Sequence, residues 1–304
     1  MSLQVPTYYA QLYSTNVDML VQQQGGKLRN CVSTGRYTGS EGARAVNLVG
    51  VTKPNKNPAR LSDTPVNDIS ADQRWIYPNE YDNALYITKQ DEVKMMVDLK
   101  GPYSTGQAEA MGRAEDDEIL QAFFADAKTG KNGGTTTSFP AGNIVAVNYG
   151  ASTNVGLTVP KVRKAKQILM SKGVRFGSED VYCAVTSTDH DNLLNEIQII
   201  NSQYQQLGAK IQDGIIQEFL GIKFVHVEFS DSASYDAAAT LVNGSSQRLV
   251  PLWAKSGMHL GYWNELEVKV SERNDKRHAV QMYARQVIGG TRTQENKVTQ
   301  ILCA

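Results

Sequence analysis

Arg44-Ala-Val-Asn-Leu-Val-Gly-Val51 and Tyr81-Asp-Asn-Ala-Leu-Tyr-Ile87 are two strand-like runs, rich in β-branched and aromatic residues. About 30 residues separate them, carrying Pro54, Pro58, Pro65 and Pro78 with Lys53, Lys56, Arg60 and Arg74. Apolar residues are sparse there until Trp75, Ile76 and Tyr77. A structureless loop this long is uncommon inside a compact domain. It is either disordered or laid against something else, and the flanking strands suggest a long hairpin that projects from the body.

On its N-terminal side, residues 7–24 place Tyr9, Leu12, Tyr13, Val17, Leu20 and Val21 on one helical face. Gly25-Gly26 interrupts the pattern, and Gly35, Gly39 and Gly42 loosen the next stretch. This reads as an amphipathic helix on a Gly-hinged arm, whose stripe must be buried on the body or on a neighbouring subunit. On the C-terminal side, Thr88-x-x-Asp91 before Val93, Met95, Met96 and Val97 predicts a short capped helix. The longest helical signal comes after it at roughly 104–128, with Ser104 or Thr105 as cap. Met111, Ile119, Leu120, Phe123 and Phe124 lie in its stripe, and Gly130, Gly133 and Gly134 form its exit. It would be on the order of 36 Å long.

Further on, residues 158–172 predict a helix capped by Thr158, with Pro160 in the first turn and Gly173 as the stop. Val181–Val185 predicts a strand, and Thr188-x-x-Asp191 opens a helix with Leu193, Leu194, Ile197 and Ile200. Ile215–Phe219 and Ile222–Phe229 are β-rich, and residues 230–248 read as a loop. The final third is β: Leu266, Val268 and Val270 alternate with charges, Arg273–Lys276 is turn chemistry, and Ala279–Arg285 and Val298–Cys303 are strands. The fold class is α+β.

A chain of 304 residues is long enough for one large or two modest domains. Its 31 Lys+Arg balance 31 Asp+Glu, which excludes broad attraction to nucleic acid or to an acidic membrane. No apolar run approaches the ~18 residues of a membrane span. The start lacks a basic region followed by an apolar one, so no signal peptide is expected. Cys31, Cys183 and Cys303 are scattered and odd in number, which fits a reducing compartment better than a disulfide framework.

No catalytic constellation emerges. Thr129-Gly-Lys-Asn-Gly-Gly-Thr-Thr-Thr137 lacks the first Gly and the Ser/Thr of a phosphate loop, and reads as a flexible turn. Glu115-Asp-Asp-Glu118 has no His nearby and reads as a solvated helix face. His190, His226, His259 and His278 show no metal-ligand spacing, and His190 suits a helix cap. No GxSxG elbow anchors a hydrolase triad. Arg74, Trp75 and Tyr77 could stack bases or anchor the loop on another protein surface; the second is preferred because the chain is not basic.

The order of parts resembles the major capsid protein fold of tailed bacteriophages, the Hong Kong phage type. Tyr81–Lys94 resembles the stretch after the extended loop, and Met111-Gly-Arg-Ala-Glu-Asp-Asp-Glu-Ile-Leu120 resembles the spine-helix pattern. His278–Val298 resembles the C-terminal stretch. The resemblance implies an N-terminal arm (1–43), an extended loop hairpin (44–87) and a peripheral domain with the spine helix (88–150). It places a mainly axial domain at 151–265 and a C-terminal β meander completing the core at 266–304.

It further implies a non-enzymatic head protein that self-assembles as pentamers and hexamers into an icosahedral shell around phage DNA, with no cofactor and no membrane partner. Scaffolding, portal and decoration proteins are further candidate partners. The virion is the implied location, with assembly in the bacterial cytoplasm. The alternatives are another virion component, such as a tail or tube subunit, or a cytosolic enzyme with an unrecognised site. Lys53, Arg60, Arg74, Trp75 and Tyr77 are the expected subunit-interface residues. The arm and the loop are each expected to order by burying side chains on neighbouring copies.

Overall fold

The computed structural model describes residues 25–39, 41–56, 66–88, 100–196, 210–212, 214–228 and 247–304. The helix expected at 7–24, that at 88–97 beyond its first residue, Ile197 and Ile200 of the 188–200 stripe, most of the 230–248 loop, and Arg60 lie outside the described residues.

The fold is α+β, with three sheets among the described residues. The first joins β1 (Ser33–Arg36), β13 (Met258–Arg273), β14 (Ala279–Arg292) and β4 (Asn79–Ile87), in that order. The second joins β2 (Ala43–Val49), β3 (Ala71–Ile76), β5 (Ala127–Thr129) and β6 (Thr135–Thr137). The third is seven-stranded: β7 (Ile144–Val145), β15 (Val298–Cys303), β12 (Arg248–Ala254), β8 (Val181–Val185), β11 (Ile222–His226), β10 (Ile215–Phe219) and β9 (Lys210–Gln212).

Three helices serve these sheets among the described residues: α1 (Lys100–Phe124), α2 (Val159–Ser171) and α3 (Ser187–Leu194). α1 lies on the first sheet. α2 buries Val162, Ala165 and Leu169 with Val181, Val185, Leu252 and Ile301 in one core. A second core joins Ile119, Leu120 and Phe123 of α1 to Leu260 and Ile288 of the first sheet, and to Trp253 and Val298 of the third. Trp253 sits at that junction, fully buried, with Nε1 donating to the Cys31 carbonyl at 3.0 Å. Trp253→Phe should keep most of the bulk and orphan that carbonyl, a loss of about 1–3 kcal/mol readable by urea unfolding. An unchanged midpoint would show that the hydrogen bond contributes nothing net.

Several expectations shift. The 44–51 run pairs with residues 71–76, antiparallel, rather than with 81–87. The latter run pairs instead with β14 in the first sheet. Ala71-Asp-Gln-Arg-Trp-Ile76 hides its strand behind polar side chains that find partners inside the subunit. The long helix stops at Phe124, short of the glycines, because the chain turns at once into β5. Its final carbonyls are taken by Arg292, whose Nη1 donates to the Phe123 carbonyl (2.6 Å) and to that of Ala125. The α3 cap lies two residues before the expected one: Thr186 and Asp189 form a reciprocal capping box. His190 instead accepts the Ile216 amide at 3.1 Å, tying α3 to β10.

Part of the segment expected as an arm packs on the body. Leu28, Cys31 and Val32 are buried in the second core, and residues 33–36 add a parallel strand beside residues 259–262. Gly25-Gly26 is a close crossing rather than a loose joint. A Cβ on Gly25 would meet the backbone of α1 at Gly112 and Arg113 within 2.3 Å. Finally, β13 and β14 belong to the first sheet whereas β15 joins the third, so the C-terminal strands stitch the two together.

Candidate functional site

The β2–β3 hairpin carries Lys53 and leads into Arg74, Trp75 and Tyr77, so four of the five expected interface residues fall on or beside one element. Its strands close where Gly50 donates its amide to the Ser70 carbonyl at 2.6 Å. Beyond them the two legs stay joined by side chains: Asn67 Nδ2 donates to the Lys53 carbonyl (2.8 Å), and Asn55 Nδ2 donates to Asn67 Oδ1 (2.7 Å).

The base of the hairpin is anchored inside the subunit. Arg74 is 4% exposed, with Nε donating to the Thr293 carbonyl at 3.0 Å and Nη2 paired with Glu295. These contacts root the Arg74 guanidinium within its own subunit. Trp75 is half-buried, and its indole N–H donates to the Gly130 carbonyl at 2.7 Å. Asp72 Oδ1 accepts the Gly130 amide at 3.1 Å.

The Gly-rich segment read as a turn is one, joining β5 to β6 under the hairpin. Gly133 has φ +69° there, and a Cβ would come within 2.4 Å of the Tyr77 hydroxyl and 3.0 Å of the Trp75 ring. Both the backbone conformation and the space call for glycine.

The far part of the hairpin has no such anchors. Val49 is 72% exposed, Val66 92% and Val51 fully exposed, with Ile69 also open to solvent; Tyr77, at the base, is exposed too. Lys53 and Lys56 are exposed among them. Sequence reasoning singled out the cations and aromatics and passed over these aliphatic side chains. The signal was present: valines recurring in a Pro- and Lys-rich stretch have no local partner to bury them.

The acidic run on α1 also needs correcting. Glu115, Asp116, Asp117 and Glu118 are all buried, not solvated. Asp116 accepts the amides of Leu28 (2.8 Å) and Lys27 (3.2 Å). Glu118 accepts the Gly290 amide (2.9 Å), the Tyr81 hydroxyl (2.8 Å) and Asn79 Nδ2 (3.0 Å). Glu115 takes Gln286 and lies 3.8 Å from Arg29. Desolvation pushes Asp116 up to about 6, against the lowering effect of its amide donors, and raises Glu115 as well. The run is a socket that joins the long helix to the chain entering at residue 25 and to both neighbouring strands.

Several other titratable groups are buried within the fold. His259 is buried, bridging Ser33 Oγ (3.0 Å) and the Tyr37 hydroxyl (2.8 Å). Ser33 Oγ donates to the Met258 carbonyl at 2.7 Å, so it accepts from Nδ1–H, and Nε2 accepts from Tyr37. Burial lowers the His259 pKa, which suits a neutral ring. Cys183 and Cys303 are buried, with thiol pKa values raised by desolvation. Among the described residues no group of three His, Cys, Asp or Glu is placed to hold a metal ion, and no helix is long and apolar enough to cross a membrane.

Among known proteins, the family model described as phage capsid protein matches residues 5–304. No curated protein matches the chain. Among solved structures, the capsid of cyanophage Pam1 is 14% identical with a TM-score of 0.73, over 100% of this chain and 98% of that one. The capsid of cyanophage P-SCSP1u is 14% identical with a TM-score of 0.70, over 99% and 93%. The head of Helicobacter pylori bacteriophage KHP40 is 10% identical with a TM-score of 0.69, over 100% and 98%. These likenesses are of fold, along the whole chain.

Proposed function

Since the chain belongs to the phage capsid protein family, we propose that the β2–β3 hairpin is the extended loop by which each copy grips its neighbours in an icosahedral shell of pentamers and hexamers. The reading rests on one observation above the others. The hairpin's base is locked by Arg74, Trp75 and Asp72, while its outer part exposes Val49, Val51 and Val66. A limb that is rigidly rooted and apolar beyond its root suits burial on another copy. A closed shell asks for a surface on each subunit that fits a different surface on the next. Each contact can be modest, because a shell repeats it many times.

In this proposal the first sheet with α1 is the peripheral domain, and the seven-stranded third sheet with α2 and α3 is the axial one. Lys53 and Tyr77 face the neighbour, while Trp75 sets the angle of the hairpin. The role is structural rather than catalytic. The shell confines phage DNA without reading its sequence, since the net charge is zero and no recognition helix stands out. Assembly takes place in the host cytoplasm, with scaffolding, portal and decoration proteins as partners. Virion and shell are then the working location.

The test replaces residues 52–68 with a short Gly-Ser turn. Arg74, Ile76 and the β3 pairing are left intact, so the subunit should unfold at the wild-type denaturant midpoint. Electron microscopy and sedimentation should show particles for the wild type and only small species for the variant. Normal shells from the shortened protein would remove the hairpin from the assembly contacts. Rings or tubes from the wild type would move the protein to a tail role.

A further inference from the structure

α2 carries charge that its own stability does not call for. Residues 159–172 hold the cations Lys161, Arg163, Lys164, Lys166 and Lys172 and no acid. Lys161, Arg163 and Lys164 stand toward the N-terminal end, which is the positive end of the helix dipole. Lys161 has a role inside the subunit: it is buried, with Nζ donating to the carbonyls of Val155 (2.6 Å) and Leu302 (2.8 Å). The next three cations line an open groove of about 890 Å³. Arg163 is exposed. Lys164 Nζ donates to Gln167 Oε1 at 3.2 Å and lies 5.8 Å from the centre of the Tyr149 ring. Lys166 Nζ donates to the Leu220 carbonyl at 2.6 Å and lies 4.8 Å from the centre of the Phe176 ring. The two lysine heads are thus positioned by neutral groups. Among the described residues none of the three cations is paired with a carboxylate, and no acid lines the groove.

The same groove is partly apolar. Met170 is 57% exposed and Tyr149 38%, and Pro160 and Leu220 share the lining. Converging cations beside an exposed thioether match a ligand that offers carboxylates and an apolar side chain together. A nucleic acid strand matches less well. Its phosphates would meet the cations, but its bases would need rings to stack on. Tyr149, the aromatic side chain of the lining, is already faced by Lys164. The net charge of the chain is zero, so no broad field gathers a polyanion. The groove is also short. From Pro160 to Ser171 the helix runs about 16 Å, which about five residues of extended peptide would span.

We propose that this groove docks an acidic, partly apolar segment of another protein, with carboxylates on Arg163, Lys164 and Lys166 and an apolar side chain on Met170. Clustered cations are a recurrent means of holding acidic motifs. An unbranched, polarisable methionine adapts to the shape of what lies on it. The two lysine heads are already placed, so less side-chain freedom is lost when the ligand arrives. The groove lies on the third sheet's helix, and its role stands or falls apart from that of the β2–β3 hairpin.

Fluorescence anisotropy with the full-length protein tests it, the probe being a labelled hexapeptide of sequence Glu-Glu-Leu-Glu-Glu-Leu. Arg163→Glu with Lys164→Glu should weaken its binding by at least about tenfold. Lys128→Glu with Lys131→Glu changes the net charge equally at exposed sites on another sheet, and should leave binding as it was. Met170→Ser should weaken the leucine-containing probe and leave a labelled hexaglutamate, the poorer ligand, unaffected. All of these side chains are at least partly open to solvent, so the urea midpoints should match the wild type. No binding at millimolar peptide would overturn the proposal, as would equal losses from the two charge-reversed pairs. A single-stranded oligonucleotide bound more tightly than the peptide, and indifferent to Met170→Ser, would give the groove to nucleic acid. Loss of particle formation on reversing Arg163 and Lys164, with no peptide bound by the wild type, would give it to a second copy of the chain; either result overturns the proposal.

Discussion

Replacing Arg292 with Ala should lower the stability of the subunit by about 3–5 kcal/mol, the largest single-residue loss expected outside the aromatic core. The side chain is completely buried. Its Nη1 takes the carbonyls of Phe123 and Ala125 at the end of α1, and its Nη2 takes that of Thr137 at 3.1 Å. The guanidinium also lies over the Phe139 ring, 5.4 Å from its centre. A helix end leaves its last carbonyls without partners inside the helix, and here water cannot serve them. Truncation therefore orphans three acceptors and opens a cavity between α1, β6 and β14. Desolvation pulls the Arg292 pKa down, so the cation is costly to bury, and its hydrogen bonds offset that cost. Arg292→Met separates the two effects, because it refills the volume without donors. It should still lose about 1–3 kcal/mol by urea unfolding. A methionine variant as stable as the wild type would show that the helix end needs no donor.

The second large effect depends on pH. Asp116 is pushed up to about 6 from an ordinary value of 3.8, chiefly by burial. A carboxyl raised by folding binds a proton more tightly in the folded state. Its contribution to stability is therefore fully present below 3.8 and is lost as pH rises through about 6. The difference between the two limits is on the order of 3 kcal/mol. Glu115 is shifted in the same direction. His190 and His259 are lowered by burial and act oppositely, since they favour the folded state only while neutral. The wild-type profile is the sum of these, so the informative quantity is its difference from Asp116→Asn. That difference should change by roughly 2–3 kcal/mol between about pH 8 and pH 4, the wild type gaining on acidification relative to the variant. Parallel profiles would mean that Asp116 titrates like an exposed carboxyl and that its contacts with Lys27 and Leu28 are loose.

Much of the framework could be read from residue order. The stripe of α1, the Pro160 start and Gly173 stop of α2, and the strands at 181–185, 215–219 and 298–303 all arise from local period and turn chemistry. The 71–76 strand did not, because its buried face alternates Arg74 with Ile76 and its strand character depends on partners at 44–49 and 128–129. Nor did the acidic socket. Four adjacent carboxyl residues look solvated in any local window, and distant groups, among them the amides of residues 27, 28 and 290 and the side chains of Asn79, Tyr81 and Gln286, make their burial tolerable.

Residue order alone thus settles the α+β class and the long helix and points to a Pro-rich hairpin, because hydrophobic period and backbone preference act over a few residues. The three-dimensional packing alone decides which strand closes that hairpin, that Arg74 and the carboxylates of 115–118 face inward, and where Val49, Val51 and Val66 are left bare. Those outcomes turn on whether a polar or apolar group meets a partner from a distant part of the chain, and desolvation energies are set by that meeting.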